Sequence, residues 1–250
     1  MSAAPTLISL SSFGASEVLQ HGQLHYTRLA QAAGADGVEV RGELLASEAE
    51  LPALAATGMV KVFSSPAGLW TDEGRLDLAA LEQGLATAHQ LGAARLKMAI
   101  GGFSVADELP ALSEHLAHSE IELVIENDQT PSAGTVSALQ RFFAAADAAG
   151  LDLGLVFDMG NWHWLGECPQ QAAAALGARV RYVHCKGVQR ERSRWIAVPM
   201  ADSAAPWRAV LRALPRALPW AIEYPLQGAD LQATTRSELG LLQDAREQQA

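Results

Sequence analysis

Eight short apolar runs alternate with eight helical segments along the 250 residues, and this alternation constrains the fold more than any other feature of the chain. The runs at 7–11, 37–41, 60–65, 95–100, 122–127, 155–158, 180–185 and 220–224 are rich in Val, Ile, Leu and Phe and read as buried strands. Between and after them, 26–33, 46–56, 76–91, 109–117, 135–149, 169–176, 207–214 and 231–245 read as helices. Gly34, Gly58, Gly92, Gly150 and Gly177 stand where such helices stop. A single strand between successive helices cannot form a hairpin, so its neighbours are reached by crossovers and the sheet is parallel. Eight such units in this length predict one (β/α)8 TIM barrel over residues 5–246, followed by a polar tail at 247–250. The rival, an open doubly wound sheet, often has a Gly-rich first turn. Ser12-Phe13-Gly14 is not one. The stretch 187–205 reads as a loop.

Charge and apolar content limit the partners. The formal net charge is -10, which repels phosphate backbones and anionic membranes, so nucleic acid is not the expected ligand. The first residues carry neither a basic leader nor a long apolar stretch, and no run of about 18 apolar residues could span a bilayer. With two cysteines, Cys168 and Cys185, reduced thiols in a cytoplasm are expected. Self-association is left open. Only three lysines accompany fifteen arginines, and all three, Lys61, Lys97 and Lys186, lie in or beside strands, not on helix faces.

A TIM barrel places its active site at the C-terminal strand ends. The polar residues there are Glu39 and Arg41, Lys97, Glu126 and Asn127, Asp158, His184 and Lys186, and Glu223. Side chains alternate along a strand. If Ile125, Phe157, Val183 and Ile222 face the helices, the residues that follow them, Glu126, Asp158, His184 and Glu223, face the barrel axis. The same parity turns Glu39, Lys97 and Lys186 inward. Three carboxylates converging on one volume repel one another unless a cation compensates them. Mixed carboxylate and imidazole donors suit Mn²⁺, Mg²⁺ or Co²⁺ better than a structural Zn²⁺.

The strand ends Val124-Ile125-Glu126-Asn127, Val156-Phe157-Asp158, Tyr182-Val183-His184-Cys185-Lys186 and Ala221-Ile222-Glu223, with Gly37-Val38-Glu39-Val40, resemble the xylose isomerase-like TIM-barrel superfamily, and within it the sugar phosphate isomerase/epimerase-like group. The resemblance to ketose 3-epimerases implies that Glu126, Asp158, His184 and Glu223 hold a divalent metal, Mn²⁺ first, with Mg²⁺, Co²⁺ or Zn²⁺ as alternatives. It implies further that Glu126 and Glu223 serve as acid and base on a small sugar, sugar phosphate or keto-polyol. Arg190 stands six residues after the metal histidine, where those epimerases contact substrate. Two positions depart from the pattern. Asn161 replaces a substrate-contacting histidine, with His163 two residues later, and Ser132 replaces a glutamate. These departures leave a second reaction open on the same site, dehydration of a keto-polyol or keto-acid. A non-catalytic sugar-binding role and an endonuclease IV-like nuclease are weaker alternatives. The nuclease needs more strand-end histidines and a basic face.

Further substrate contacts are expected from Lys97, Lys186, Glu39, Asn161 and His163, and from aromatic walls at Trp70 and Trp162. Lys61, early in its strand, reads as structural.

Overall fold

The computed structural model describes residues 4–104 and 107–248. Eight parallel strands close into a barrel. They are β1 (Thr6–Ser9), β2 (Gly37–Arg41), β3 (Val60–Ser64), β4 (Arg95–Ala99), β5 (Glu122–Glu126), β6 (Gly154–Asp158), β7 (Val180–Cys185) and β10 (Trp220–Ile222). Around the barrel the order is β1-β10-β7-β6-β5-β4-β3-β2, so each strand pairs with its sequence neighbours in the barrel and β10 closes against β1. The helices are α1 (Ala15–His21), α2 (Gln23–Ala33), α3 (Leu51–Ala55), α4 (Leu78–Leu91), α5 (Leu109–Leu116), α6 (Val136–Ala148), α7 (Pro169–Leu176), α8 (Trp207–Ala213) and α9 (Leu231–Glu247). Helix α9 runs one residue into the expected tail, and residues 249 and 250 lie outside the described residues. Among the described residues no helix is long and apolar enough to cross a membrane.

The alternation of side chains divides the interior into two cores. Ile125, Phe157, Val183 and Ile222 pack outward in the large cluster shared with the helices. Leu7, Val62, Val124, Val156, Tyr182 and Ala221 fill the barrel interior as a separate cluster. The residues two positions further along the strands therefore point inward one layer higher, which is where the polar strand ends stand. A register shift between β6 and β7 matters here. Leu155 pairs with Val180 but Val156 with Tyr182, and the extra residue brings Asp158 level with His184.

Three local readings are corrected. The 187–205 stretch is not a plain loop. It holds an antiparallel hairpin of β8 (Gly187–Glu191) and β9 (Arg194–Val198), followed by a short helical turn at Met200–Asp202. Its tight turn places Arg192 at φ 56°, a left-handed conformation usually marked by Gly or Asn, so the sequence carries no turn signal. The helix expected from residue 46 begins at Leu51, after a turn at Glu48–Glu50, with Pro52 in its first turn. An additional helix, α1, follows the first strand.

Candidate metal centre

The centre is built on four successive barrel strands. Glu126 ends β5, Asp158 ends β6, His184 is the penultimate residue of β7, and Glu223 follows β10. One ligating atom from each lies within 4.8 Å of the others. His184 Nδ1 is 2.9 Å from Glu126 Oε1, 2.9 Å from Glu223 Oε2 and 3.8 Å from Asp158 Oδ2. One ring nitrogen cannot satisfy three carboxylates, and Glu126 Oε1 is buried without a hydrogen bond. An orphaned buried carboxylate oxygen, aimed where three other donors converge, fits a divalent cation. Oxygen and imidazole donors suit a hard or borderline ion.

Asp158 is oriented by its own loop. Its Oδ1 accepts from the backbone N–H groups of Gly160 (2.8 Å) and Asn161 (2.9 Å), which leaves Oδ2 for the cluster. The Asn127 side chain clasps the Asp158 backbone at both N–H (2.8 Å) and C=O (3.0 Å). Asn161 donates to the Asn127 carbonyl (2.9 Å) and accepts from Gln129 (3.0 Å) and Lys186 (3.1 Å). It bridges two loops and is only 6% exposed.

Beneath the centre lies a charged hub that strand parity announces only in part. Glu39 Oε2 contacts His184 Nε2 at 2.7 Å. Its Oε1 accepts from Arg41 Nη1 at 3.1 Å and faces Lys97 Nζ at 3.1 Å. Lys97 continues to Glu126 Oε2 (2.8 Å) and Arg41 to Glu223 Oε1 (2.6 Å). Neither Lys97 contact is aligned as a hydrogen bond, so both are ion pairs. One carboxylate thus fixes the imidazole directly and both glutamates through a cation each. An imidazole that donates one nitrogen to a carboxylate presents the other to a metal in a fixed tautomer. Lys186 completes the set from above, with Nζ 2.6 Å from Asp158 Oδ2 and 2.9 Å from Glu223 Oε2. Its stem lies over Gly160, where an added Cβ would come within 2.7 Å of Lys186 Cδ.

These neighbours set the protonation states. Burial pushes the Glu39, Glu126 and Glu223 carboxyls up, but the cations outweigh it. His184 and Lys97 hold Glu39 low, Lys97 and His184 hold Glu126 low, and His184 and Lys186 hold Glu223 well below the usual range. At Asp158 burial wins over Lys186 and the carboxyl is raised. The carboxylates of Glu223 and Glu39 overcome burial at His184 and raise it well above its ordinary value. Lys97 and Lys186 are likewise raised by the carboxylates beside them, against burial.

Two expected substrate contacts are corrected by burial. Glu39 is 0% exposed and faces His184, not a cavity. Trp162 is also 0% exposed and packs on Phe157 with ring centroids 5.4 Å apart, so it belongs to the core. Trp70 lines a cavity of about 520 Å³ over β2–β5, with its ring packed on Phe103 and Phe142. Arg41, Lys97, Glu126 and Ser132 line the same cavity. His163 and Lys186 line a second, more apolar cavity of about 280 Å³ toward α7 and α8. His163 is half-buried against Trp195, and burial lowers its pKa. Arg190 is exposed on the hairpin, over the Trp195 ring at 5.5 Å. Lys61 is buried and caps the carbonyls of Ala55 and Met59. Arg41 carries the largest role that the sequence reading did not assign. Its parity with Glu39 was the available signal.

A closed parallel barrel with carboxylates and an imidazole gathered at its C-terminal strand ends defines a class of TIM barrels. The xylose isomerase-like TIM barrel family matches residues 27–244, and the chain belongs to that family. No curated protein matches it in sequence. Solved structures share the fold at low identity. A xylose isomerase-like TIM barrel/4-hydroxyphenylpyruvate dioxygenase fusion protein superposes with a TM-score of 0.77 at 16% identity over 99% of this chain, which spans 44% of the fusion's length. An L-ribulose 3-epimerase gives 0.72 at 17% identity, covering 98% of this chain and 95% of that one. The probable 3-DHS dehydratase AsbF from Bacillus anthracis gives 0.65 at 14% identity, covering 96% and 98%.

Proposed function

We propose that this chain is a divalent-metal-dependent isomerase or epimerase of a small sugar, sugar phosphate or related keto-polyol, working through an enediolate. The observation that carries the reading is the convergence of Glu126, Asp158, His184 and Glu223 within 4.8 Å, with a buried Glu126 oxygen that makes no hydrogen bond. When bound, a divalent ion would supply Lewis-acid stabilisation of the charge that develops on substrate oxygen, Mn²⁺ being the first choice. Glu126 and Glu223 flank His184, and each keeps one oxygen paired with a cation, Lys97 or Arg41. They would take a proton from a carbon beside the carbonyl and return it. Lys186, at the junction of the cluster and the smaller cavity, would hold a substrate carbonyl, and Arg190 would join it from the hairpin. Asp158, with one oxygen fixed by two backbone N–H groups, would serve as ligand alone.

A second reading is dehydration on the same site, favoured by Asn161 and Ser132, which depart from the epimerase pattern, and by the likeness to a structure named as a probable dehydratase. Proton removal would be shared, but a hydroxyl would then leave as water. The test is a panel of ketoses, ketose phosphates and keto-polyols with Mn²⁺ in D₂O. Metal-dependent deuterium uptake without loss of water from the product supports isomerisation or epimerisation. A product lighter by one water supports the dehydratase. Full exchange retained by Glu223→Gln would refute the role given to Glu223.

A further inference from the structure

The cavity beside the metal centre also bears on the charge of its substrate. Its three nearby cations are already committed. Arg41 sits 2.6 Å from Glu223 and 3.1 Å from Glu39, Lys97 2.8 Å from Glu126 and 3.1 Å from Glu39, and Lys186 2.6 Å from Asp158 and 2.9 Å from Glu223. A phosphate or carboxylate entering here would compete with a buried carboxylate for each of them. The rest of the wall adds acid. Glu43, Asp72 and Asp128 line the cavity of about 520 Å³ together with Glu126. With Glu39, Asp158 and Glu223 these make seven carboxylates, against three cationic side chains and a divalent ion to which His184 would be a neutral ligand, and two negative charges remain. An anion here meets this excess at short range, and the partly buried Glu126 and Asp128 are screened less than the exposed Glu43 and Asp72.

What the wall offers instead is hydroxyl chemistry. Asp128 Oδ1 accepts from both the backbone and the hydroxyl of Thr130 at 2.7 Å, and Thr130 Oγ1 lies 3.2 Å from Ser132 Oγ. This leaves Asp128 Oδ2 as an acceptor. Ser64 and Ser65 face the cavity from the end of β3. Such a wall pairs with substrate hydroxyls, which both donate and accept.

We infer that the substrate is an uncharged polyhydroxylated carbonyl compound, not a sugar phosphate or a keto-acid. Its carbon chain runs from the metal centre across Glu126 toward Thr130 and Ser132. The inference rests on the proposed reading of the centre as the place where substrate binds.

The test is calorimetric binding to the full chain loaded with Mn²⁺, using ketopentoses and ketohexoses, their terminal phosphates, the matching 2-keto-aldonates and a 1-amino-1-deoxy ketose. At least one neutral member should bind tenfold or more tightly than its own phosphate, keto-acid and amine counterparts. Glu43→Gln, at an exposed position where the carboxylate pairs with Arg41 at 2.8 Å, and Asp128→Asn should each narrow the gap to the phosphate severalfold. An anionic member that binds as tightly as its neutral counterpart, or an amine that binds more tightly, overturns the inference. If that anion or amine also undergoes metal-dependent exchange in D₂O, the reading of the centre survives. Saturation by no member overturns both.

Discussion

Replacing Glu39 with glutamine tests the hub directly. The side chain keeps its shape but loses its charge, and one of its oxygens becomes an amide that can only donate. Glu39 accepts from His184 at 2.7 Å and meets Arg41 and Lys97 at 3.1 Å each, with Glu39, His184 and Lys97 buried and Arg41 partly exposed. Removing one partner of a buried ion pair costs about 3–5 kcal/mol, because the remaining charges stay desolvated. Lys97 and Arg41 retain Glu126 and Glu223, so the lower end of that range is expected. This is a large part of the 5–15 kcal/mol typical of a whole domain, and the variant should fold with a clearly lowered Tm. The second effect is on the metal. Loss of an outer carboxylate partner to a ligating histidine typically weakens binding by about 10–100-fold, or roughly 1.4–2.7 kcal/mol. Mn²⁺ affinity measured by chelator competition, with Tm followed in parallel, reads both. A Glu39→Gln protein that binds Mn²⁺ as tightly as the parent would refute the hub.

Two further outcomes follow from the same contacts. Gly160→Ala inserts a Cβ within 2.7 Å of Lys186 Cδ and should displace the ammonium from Asp158, costing about 1–3 kcal/mol by overpacking; thermal unfolding measures it, and an unchanged Tm would mean the lysine stem is not held there. Glu39 and Glu223 have carboxyls lowered from 4.5, so in metal-free protein their stabilisation is present above about pH 4.5 and is lost as pH falls toward the folded values. Tm against pH should therefore drop below that point, more shallowly in Glu39→Gln; equal slopes would sink the assignment.

The barrel was legible because one physical rule, inward and outward alternation along short apolar strands, governs both the core and the site. Ile125, Phe157, Val183 and Ile222 pack outward, and the next residue of each pair points in. Depth along the strand is not encoded in that rule. Glu39 and Lys97 share the inward parity of Glu126, yet Glu39 stands a layer beneath the ligands and supports His184. Loops were less legible for a related reason. Trp162 looked like a pocket wall, but its loop folds back and buries the ring on Phe157. The hairpin after β7 turns through a left-handed Arg192 that only tertiary context explains. Asn161 was visible as a departure from the epimerase pattern. Its work in joining Asn127, Gln129 and Lys186 was not.

The most direct test is Mn²⁺ stoichiometry on the purified full chain, by titration calorimetry at neutral pH. The account predicts one tightly bound ion per chain, lost or weakened by at least a hundredfold in Asp158→Asn and in His184→Ala, with both variants still folded by circular dichroism. Undiminished binding in either folded variant, or a parent protein that takes up no divalent ion, would contradict it.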